Sequence, residues 1–300
     1  MKLIILHDST LQGIHALESI PALLQDGTLL PADRAWDAKN EALIRLDSPE
    51  FVGLSGHHHH DSWARYYDHV YSQLPRFAAY TEESVRLLLT LAPPPSSMLD
   101  LGAGTGRLAI PLAEVGNHVT AVDISSGLLA ILREKVEQLR LQERVEICQG
   151  LIQAFDSPPR HGKIHLIICL HAVLNYLLET ADLERFADVA ARHARPGGYL
   201  VIDLADKGVM VSQAILTPKF RRIQKVHPLG DDQFHISDTS RGYLFGEPFD
   251  FQAEDWTARY WQPEFVIRLL EARGFRAAQF LFCKLIEHQT EGGVWFAMLR

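Results

Sequence analysis

The sequence predicts an α/β fold built on a doubly wound, mostly parallel sheet. Three observations carry this expectation. Between residues 96 and 204, short apolar segments alternate with amphipathic ones, the pattern of βαβ units with right-handed crossovers. Ile164 to Leu170 reads as an apolar run, as expected of a strand covered on both faces. A loop of the form Gly-x-Gly-x-Gly, Gly102 to Gly106, sits between the first of these strands and the first helix.

In chain order, residues 1–60 form an N-terminal extension with turn signals at Asp26-Gly27, Ser48-Pro49 and Gly53 through Gly56. Leu11, Ile14, Leu17, Ile20, Leu23 and Leu24 are spaced like the apolar stripe of an amphipathic helix interrupted at Pro21. Such a stripe needs a partner surface. Residues 1–55 are therefore expected to pack over the active site and close it from water, the alternative being an oligomerisation arm. Residues 61–95 read as helices and stop at Pro93-Pro94-Pro95, which offers no backbone N–H to continue one.

Met98 to Leu101 is the first strand of the alternating region. A helix from Arg107 to Val115 follows the glycine loop and stops at Gly116. His118 to Val122 is the second strand, with Asp123 at its end, and Ser125 is placed to cap a helix reaching Leu141. Val145 to Cys148 and Ile164 to Leu170 are the third and fourth strands. A helix over Thr180–Ala194 leads through Pro196-Gly197-Gly198 to the fifth strand, Tyr199 to Leu204. Residues 205–262 alternate like the strands of an antiparallel meander. Pro263 starts a helix that ends at Gly274. Phe275–Glu287 and Val294–Leu299 then read as two strands around a hairpin turn. The main domain is thus residues 61–204 and 263–300, with residues 205–262 inserted.

Composition narrows the function. Apolar residues are 47% and charged ones 22%, so a large core is available and wholesale disorder is excluded. The net charge of −8 disfavours a nucleic-acid partner. No apolar run approaches the length of a membrane span, and the apolar start is too short for a signal peptide. The three cysteines are widely spaced in apolar segments, which reads as free thiols in a reducing compartment. The expectation is a soluble, cytoplasmic protein, with homo-oligomerisation left open. His57 to His60 invites a metal reading, but consecutive side chains diverge and no second ligand cluster exists, so the run is read as a polar loop or a tag remnant and no metal is expected.

The glycine loop carries the chemistry. Glycines let a backbone approach a ligand with no Cβ in the way, and the following helix turns unpaired N–H groups toward it. Asp123, 17 residues beyond Gly106 at the end of the next strand, is placed to accept both ribose hydroxyls of an adenosine. The ligand is then a dinucleotide or S-adenosylmethionine. Dinucleotide binders place their third glycine one residue later, where this chain has Arg107.

These residues resemble those of a known family. Leu99-Asp100-Leu101-Gly102-Ala103-Gly104-Thr105-Gly106-Arg107-Leu108, Ala121-Val122-Asp123-Ile124-Ser125 and Arg195-Pro196-Gly197-Gly198-Tyr199-Leu200 are similar to motifs of the class I S-adenosylmethionine-dependent methyltransferases, small-molecule branch. Tyr67-Asp68-x-x-Tyr71 resembles a helix that closes over the cofactor in that family. The resemblance implies a seven-stranded Rossmann-like sheet whose last strand is antiparallel. It also implies that Asp100 steers the methionine amino group, that the backbone of Gly102, Ala103, Gly104 and Gly106 passes under methionine and ribose, and that Ile124 packs on adenine. The usual Gly-Asp after the third strand is here Gly150-Leu151, so adenine falls to backbone groups of Leu151 and Ile152, or to Gln153.

At the end of the fourth strand, Leu170 is expected to offer its carbonyl to the cofactor and His171 to face the substrate. His171 is the candidate base, since imidazole titrates near neutrality; the alternative is a packed histidine. Tyr67 and Tyr71, one helical turn apart, would cover the sulfonium by cation–π contact or else belong to the core, with Tyr66 pointing elsewhere. The resemblance also implies that residues 205–262 are an inserted antiparallel β lid that binds substrate, and its aromatics Phe234, Tyr243, Phe245, Phe249, Trp256, Tyr260 and Trp261 suggest an apolar or aromatic acceptor of methyl on nitrogen or oxygen. Two further readings stay open: a protein methyltransferase whose residues 1–60 dock the partner, and a protein that binds the cofactor without catalysis. A nicotinamide oxidoreductase is a weaker third.

Overall fold

The computed structural model describes residues 2–7, 10–16, 20, 23, 28–29, 33–37, 42–46, 59–74, 77–158, 160, 162–205, 207–244, 246–282 and 293–300. The N-terminal extension is a small sheet. Its strands are β1 (Lys2–His7), β2 (Thr10–Ala16), β3 (Arg34–Asp37) and β4 (Ala42–Arg45), in the order β2-β1-β3-β4. Ile5, Ile20, Leu29, Ala35 and Leu46 form its core.

The helix expected from Leu11, Ile14, Leu17, Ile20, Leu23 and Leu24 is therefore corrected. Leu11 and Ile14 lie on β2 and are exposed, Ile20 and Leu23 belong to the small core, and Leu17 and Leu24 fall outside the described residues. The misleading spacing has a local cause. Ile4 pairs with Ile14 and Leu6 with Leu11, with a register shift between Ile5 and Leu6 that leaves Gln12 as the extra residue. A bulge of this kind puts residues three apart on one face of a strand, which imitates helical spacing.

Residues His59–Tyr66 form a 3-10 turn that runs into helix α1 (Tyr67–Ser72), and helix α2 (Phe77–Leu91) follows. The alternating region then has the elements read from the sequence in the same order, except that the last strand begins at Ala194 and takes in Pro196-Gly197-Gly198, expected as a turn before Tyr199. It comprises β5 (Ser97–Leu101), α3 (Ala109–Glu114), β6 (His118–Asp123), α4 (Ser126–Gln138), β7 (Val145–Gln149), β8 (Ile164–Cys169), α5 (Thr180–His193) and β9 (Ala194–Ala205). The Ser125 hydroxyl caps α4 by accepting from Leu128 N at 3.1 Å.

The inserted segment is an antiparallel meander, β10 (Gln213–Leu216), β11 (Phe220–Gly230), β12 (Gln233–Leu244) and β13 (Glu247–Arg259), in sequential order. Helix α6 (Pro263–Glu271) leads to β14 (Arg276–Phe282) and β15 (Gly293–Leu299). Most of the expected hairpin turn lies outside the described residues.

The main sheet has seven strands in the order β14-β15-β9-β8-β5-β6-β7. β5 to β9 are parallel, and β15 runs antiparallel between β9 and β14. Each face has its own core. Leu99, Leu101, Ile167, Cys169, Leu200 and Ile202 face α5 and α6, while Met98, Leu166, Ile168 and Val201 face α2, α3 and α4. The alternation of these residues within single strands is the period of a sheet buried on both sides. Chain order reverses between β5 and β8, which opens a crevice at their C-terminal ends. Among the described residues, no helix is long and apolar enough to cross a membrane.

Candidate active site

A cavity of about 330 Å³ lies at that crevice, between the main sheet, the segment from His60 to Phe77 and the inserted meander. Its floor is the glycine loop. Gly102 has φ +85°, and a Cβ there would come within 2.6 Å of Val173. Gly102 N and Ala103 N donate to the Val122 carbonyl at 2.8 and 3.0 Å, which ties the loop to β6. Gly104 N donates to Asp123 Oδ2 at 2.7 Å, and Ser125 N donates to Oδ1 at 2.9 Å.

Burial dominates the titration of the floor. It raises Asp100 to about 7 and Asp123 to about 6, against the relief that backbone donors give Asp123 and that Arg107 gives Asp100. The floor therefore offers two carboxylates whose charged forms burial disfavours, and a strip of loop backbone. Gly104 has nothing nearer than 3.9 Å to its missing Cβ. That open cradle fits a nucleoside with an amino-acid arm, because hydroxyl and ammonium donors would satisfy the acids.

Every residue named from the sequence as a cofactor contact lines this cavity except Gly106: Tyr67, Tyr71, Asp100, Gly102, Ala103, Gly104, Asp123, Ile124, Leu151, Ile152 and Leu170. Gly106 is placed differently. Its φ is +88°, and a side chain there would run into Leu132 and Ile110, so it serves the close approach of the loop to α3 and α4. Gln153 also lines the cavity.

His171 lines the cavity too, with its ring 5.0 Å from Tyr71 and 5.4 Å from Phe77. Burial, and after it the guanidiniums of Arg107 and Arg222, lower its pKa to about 3. The imidazole is neutral at physiological pH and does not titrate near neutrality, the property that recommended it as a base. His171 and Ala172 both have positive φ, at +78° and +58°, in a left-handed turn uncommon for residues with a side chain.

Asp203 over-determines this turn. It is fully buried on β9 and accepts from His171 N at 2.9 Å, Ala172 N at 2.7 Å and Tyr80 Oη at 2.8 Å. Its sequence signal was a lone acid in the apolar run Val201-Ile202-Asp203-Leu204. Asn175 links the same region to the meander, accepting from Ala205 N at 3.1 Å and donating to the Arg259 carbonyl at 2.9 Å.

The wall opposite the floor is aromatic. Tyr67 and Tyr71 stand 4.5 Å apart on α1, as expected from their spacing, and burial raises the pKa of both. Tyr66 points away and packs on Phe249. His60, the last of the histidine run, is buried against Trp63, Tyr67 and Tyr176 and lines the cavity; it does not behave as part of a polar loop. His57 and His58 lie outside the described residues.

Among the described lid aromatics, only Trp256 reaches the cavity, stacked 6.4 Å from Tyr176. Trp261 belongs to the core and donates to the Leu177 carbonyl, Phe249 packs with Trp63 and Phe220, Tyr260 lies under Lys207, Phe234 packs with Met210 and Ile236, and Tyr243 is exposed. Phe245 lies outside the described residues. The expected cover from residues 1–55 is likewise absent from the lining: among the described residues, none before His60 contributes.

Two carboxylates latch the aromatic segment. Asp61 accepts from Ser125 Oγ at 2.5 Å and Gly127 N at 2.7 Å, at the start of α4. Asp68 accepts from Thr105 Oγ1 at 2.5 Å and pairs with Lys135 at 2.6 Å. Charge-assisted bonds at a helix N-terminus are each worth roughly 1.5–3 kcal/mol. Asp61→Ala should therefore lower amide-exchange protection over residues 59–66 at least tenfold; unchanged protection would show that packing alone holds the segment.

The comparisons agree with this geometry. Residues 98–198 match a family model described as a methyltransferase domain. The chain is 33% identical over 140 residues to YqeM of Bacillus subtilis (strain 168), provisionally named a methyltransferase, covering 45% of this chain and 52% of that one. It is 30% identical over 138 residues to the dTDP-4-amino-2,3,4,6-tetradeoxy-D-glucose N,N-dimethyltransferase of Saccharopolyspora spinosa, covering 46% and 52%. The chain thus spans about half the length of the curated relatives it matches. The crystal structure of an S-adenosylmethionine-dependent methyltransferase from Clostridium acetobutylicum ATCC 824 shares the fold, with a TM-score of 0.66 over 78% of this chain and 98% of that one at 16% identity. The matched residues 98–198 span the glycine loop, Asp123 and the β5–β8 crevice, so this stretch is similar to a methyltransferase domain and the chain shares the fold of an S-adenosylmethionine-dependent methyltransferase.

Proposed function

We propose that the protein transfers a methyl group from S-adenosylmethionine to a nitrogen or oxygen of a small molecule with apolar or aromatic character. One observation carries the reading: one continuous cavity is lined both by Asp100 and Asp123 and by Tyr71, Tyr176, Ile236 and Trp256. An amino-sugar methyltransferase among the relatives supports a small acceptor.

S-adenosylmethionine, when bound, supplies a methyl group on a sulfonium whose departure leaves a neutral thioether, so the chain's part is alignment and exclusion of water. Asp123 would hold the ribose hydroxyls and Asp100 the methionine ammonium. Backbone groups of Leu151 and Ile152 would meet adenine beside Ile124, and the Leu170 carbonyl would face the amino-acid arm. Tyr67 and Tyr71 would cover the sulfonium. His171, neutral, would accept a hydrogen bond from the acceptor and help position it.

The raised acids make binding pH-dependent. Asp100 and Asp123 keep protons in the folded protein that the unfolded chain has released, so stability is lost as pH rises from about 4 through their values of about 7 and about 6. Donors from the cofactor reverse the preference. Affinity for S-adenosylhomocysteine should rise between about pH 5.5 and 7.5, with proton release visible by calorimetry in buffers of different ionisation heat. A flat profile would place the ligand elsewhere.

Label from methyl-tritiated S-adenosylmethionine should appear in a deproteinised small-molecule extract. Silence there with transfer in intact lysate would move the acceptor to protein. Silence in both, with the cofactor bound, would favour a binding protein.

A further inference from the structure

Four formally charged side chains with fixed sign line the cavity among the described residues: Asp100, Asp123, Arg107 and Arg222. The two acids belong to the cofactor floor at the ends of β5 and β6. The two guanidiniums converge on His171, one from the end of the glycine loop and one from β11 of the meander, and both press on its proton affinity.

Arg107 lies 5.6 and 4.8 Å from the ring centres of Phe77 and Tyr80. Its only side-chain hydrogen bond is a long one to Thr81 at 3.4 Å, and among the described residues no carboxylate lies within ion-pair reach. A guanidinium stacked on aromatic faces without a counter-ion is costly to desolvate and is a ready partner for an oxyanion.

Arg222 is held differently, to the same effect. Its Nε and Nη2 both bond Asp238 Oδ2, at 2.6 and 2.5 Å. Arg222 lines the cavity and Asp238 does not, so this buried pair turns its positive end inward. Its guanidinium also lies 5.3 Å from the Tyr71 ring centre, which fixes it against the cofactor-side wall. The Tyr71 hydroxyl also bonds this guanidinium, and the neutral pair Gln213 and Gln224, joined at 2.7 Å, lines the cavity from the meander.

We propose that the acceptor half of the cavity takes a molecule bearing an oxyanion, a carboxylate or a phosphate, received between Arg107 and Arg222. A cationic acceptor group would meet two positive charges there; of the two lining acids, Asp100 is the one that Arg107 already relieves. An anion meets two fixed donors and lies toward the sulfonium. The proposal rests on the reading of this cavity as the methyl-transfer site, and the test separates the two.

The probes are benzoate, benzamide and benzamidine, which share one shape and carry negative, zero and positive charge. Their affinities are measured by ligand-observed NMR on protein saturated with S-adenosylhomocysteine, so that the cofactor's own carboxylate is already placed. Benzoate should bind at least tenfold more tightly than benzamide, with benzamidine weakest. Arg107→Gln should erase the preference and Arg107→Lys should retain part of it. Arg222→Gln alone would strand Asp238, so the second arm is the double variant Arg222→Gln/Asp238→Asn, in which the preference should shrink severalfold.

Equal binding of the three probes, or tightest binding of benzamidine, would overturn the proposal. So would a benzoate preference seen only without S-adenosylhomocysteine, which would assign Arg107 to the cofactor's carboxylate. Failure of S-adenosylhomocysteine to bind at all would instead overturn the underlying reading, and the proposal with it.

Discussion

Asp123→Ala will bind S-adenosylmethionine at least tenfold more weakly than the wild type while remaining folded. The carboxylate does two things at once. It accepts from Gly104 N at 2.7 Å and Ser125 N at 2.9 Å, which sets the loop against the start of α4, and its remaining lone pairs face the cavity. Each charge-assisted bond to a ribose hydroxyl is worth roughly 1.5–3 kcal/mol, so losing one already costs about a factor of ten. Burial lifts this acid to about 6 in spite of its backbone donors, so further donors from a ligand would favour its charged form. Calorimetry on the two proteins decides the matter, with far-ultraviolet dichroism as the check on folding. Equal affinities would remove Asp123 from the cofactor site. Asp123→Asn separates the two roles, because the amide keeps one acceptor for the loop but loses the charge.

Asp203→Ala should cost about 3 kcal/mol or more of unfolding free energy, since it removes one buried acceptor from three donors, each left unpaired at about 1–3 kcal/mol. The loss should exceed that of Tyr80→Phe, which removes a single donor and should cost about 1 kcal/mol. Denaturant titration measures both. A larger consequence is expected at the site. The His171–Ala172 turn has two residues at positive φ, and Asp203 accepts from the backbone N–H of each. Without that acceptor the turn should relax, moving the His171 ring away from Tyr71 and Phe77. Methyl transfer should then fall further than cofactor affinity, because the ring sits toward the acceptor and away from the Asp123 floor. A variant destabilised by less than 1 kcal/mol, or one with unchanged turnover, would show that packing alone holds the turn.

The contrast between these two acids shows how legible the site was. Asp123 could be found from the sequence because its position is set by local geometry: a strand end, a fixed distance beyond a glycine loop. Asp203 serves residues 31 and 32 positions away in the chain, and Tyr80 lies 123 away. No spacing rule connects them. The same holds for Asp61, which reaches Ser125 and Gly127 across 64 and 66 positions. Arg107 was visible only as the residue that argued against a dinucleotide. Its place over Phe77 and Tyr80 depends on how α2 crosses the end of the loop.

What the sequence by itself determined is the main sheet and the strand-end residues that line its crevice. Alternating apolar periods, the proline stop at 93–95, the Ser125 cap and the glycine loop are short-range features, and each acts through the few residues around it. They specify β5 to β9, the helices between them and the line of residues from Asp100 to Leu170 along the strand ends. Tertiary structure alone decided the rest. A bulge at Gln12 turned a helix-like spacing into a strand. Strand pairing in the meander sent most of its aromatics into other clusters and left Trp256 at the cavity. Burial beside two guanidiniums took His171 from an imidazole that titrates near neutrality to one that stays neutral. Each outcome follows from the dielectric and the neighbours at a point in space, and those are assembled by contacts between segments far apart in the chain.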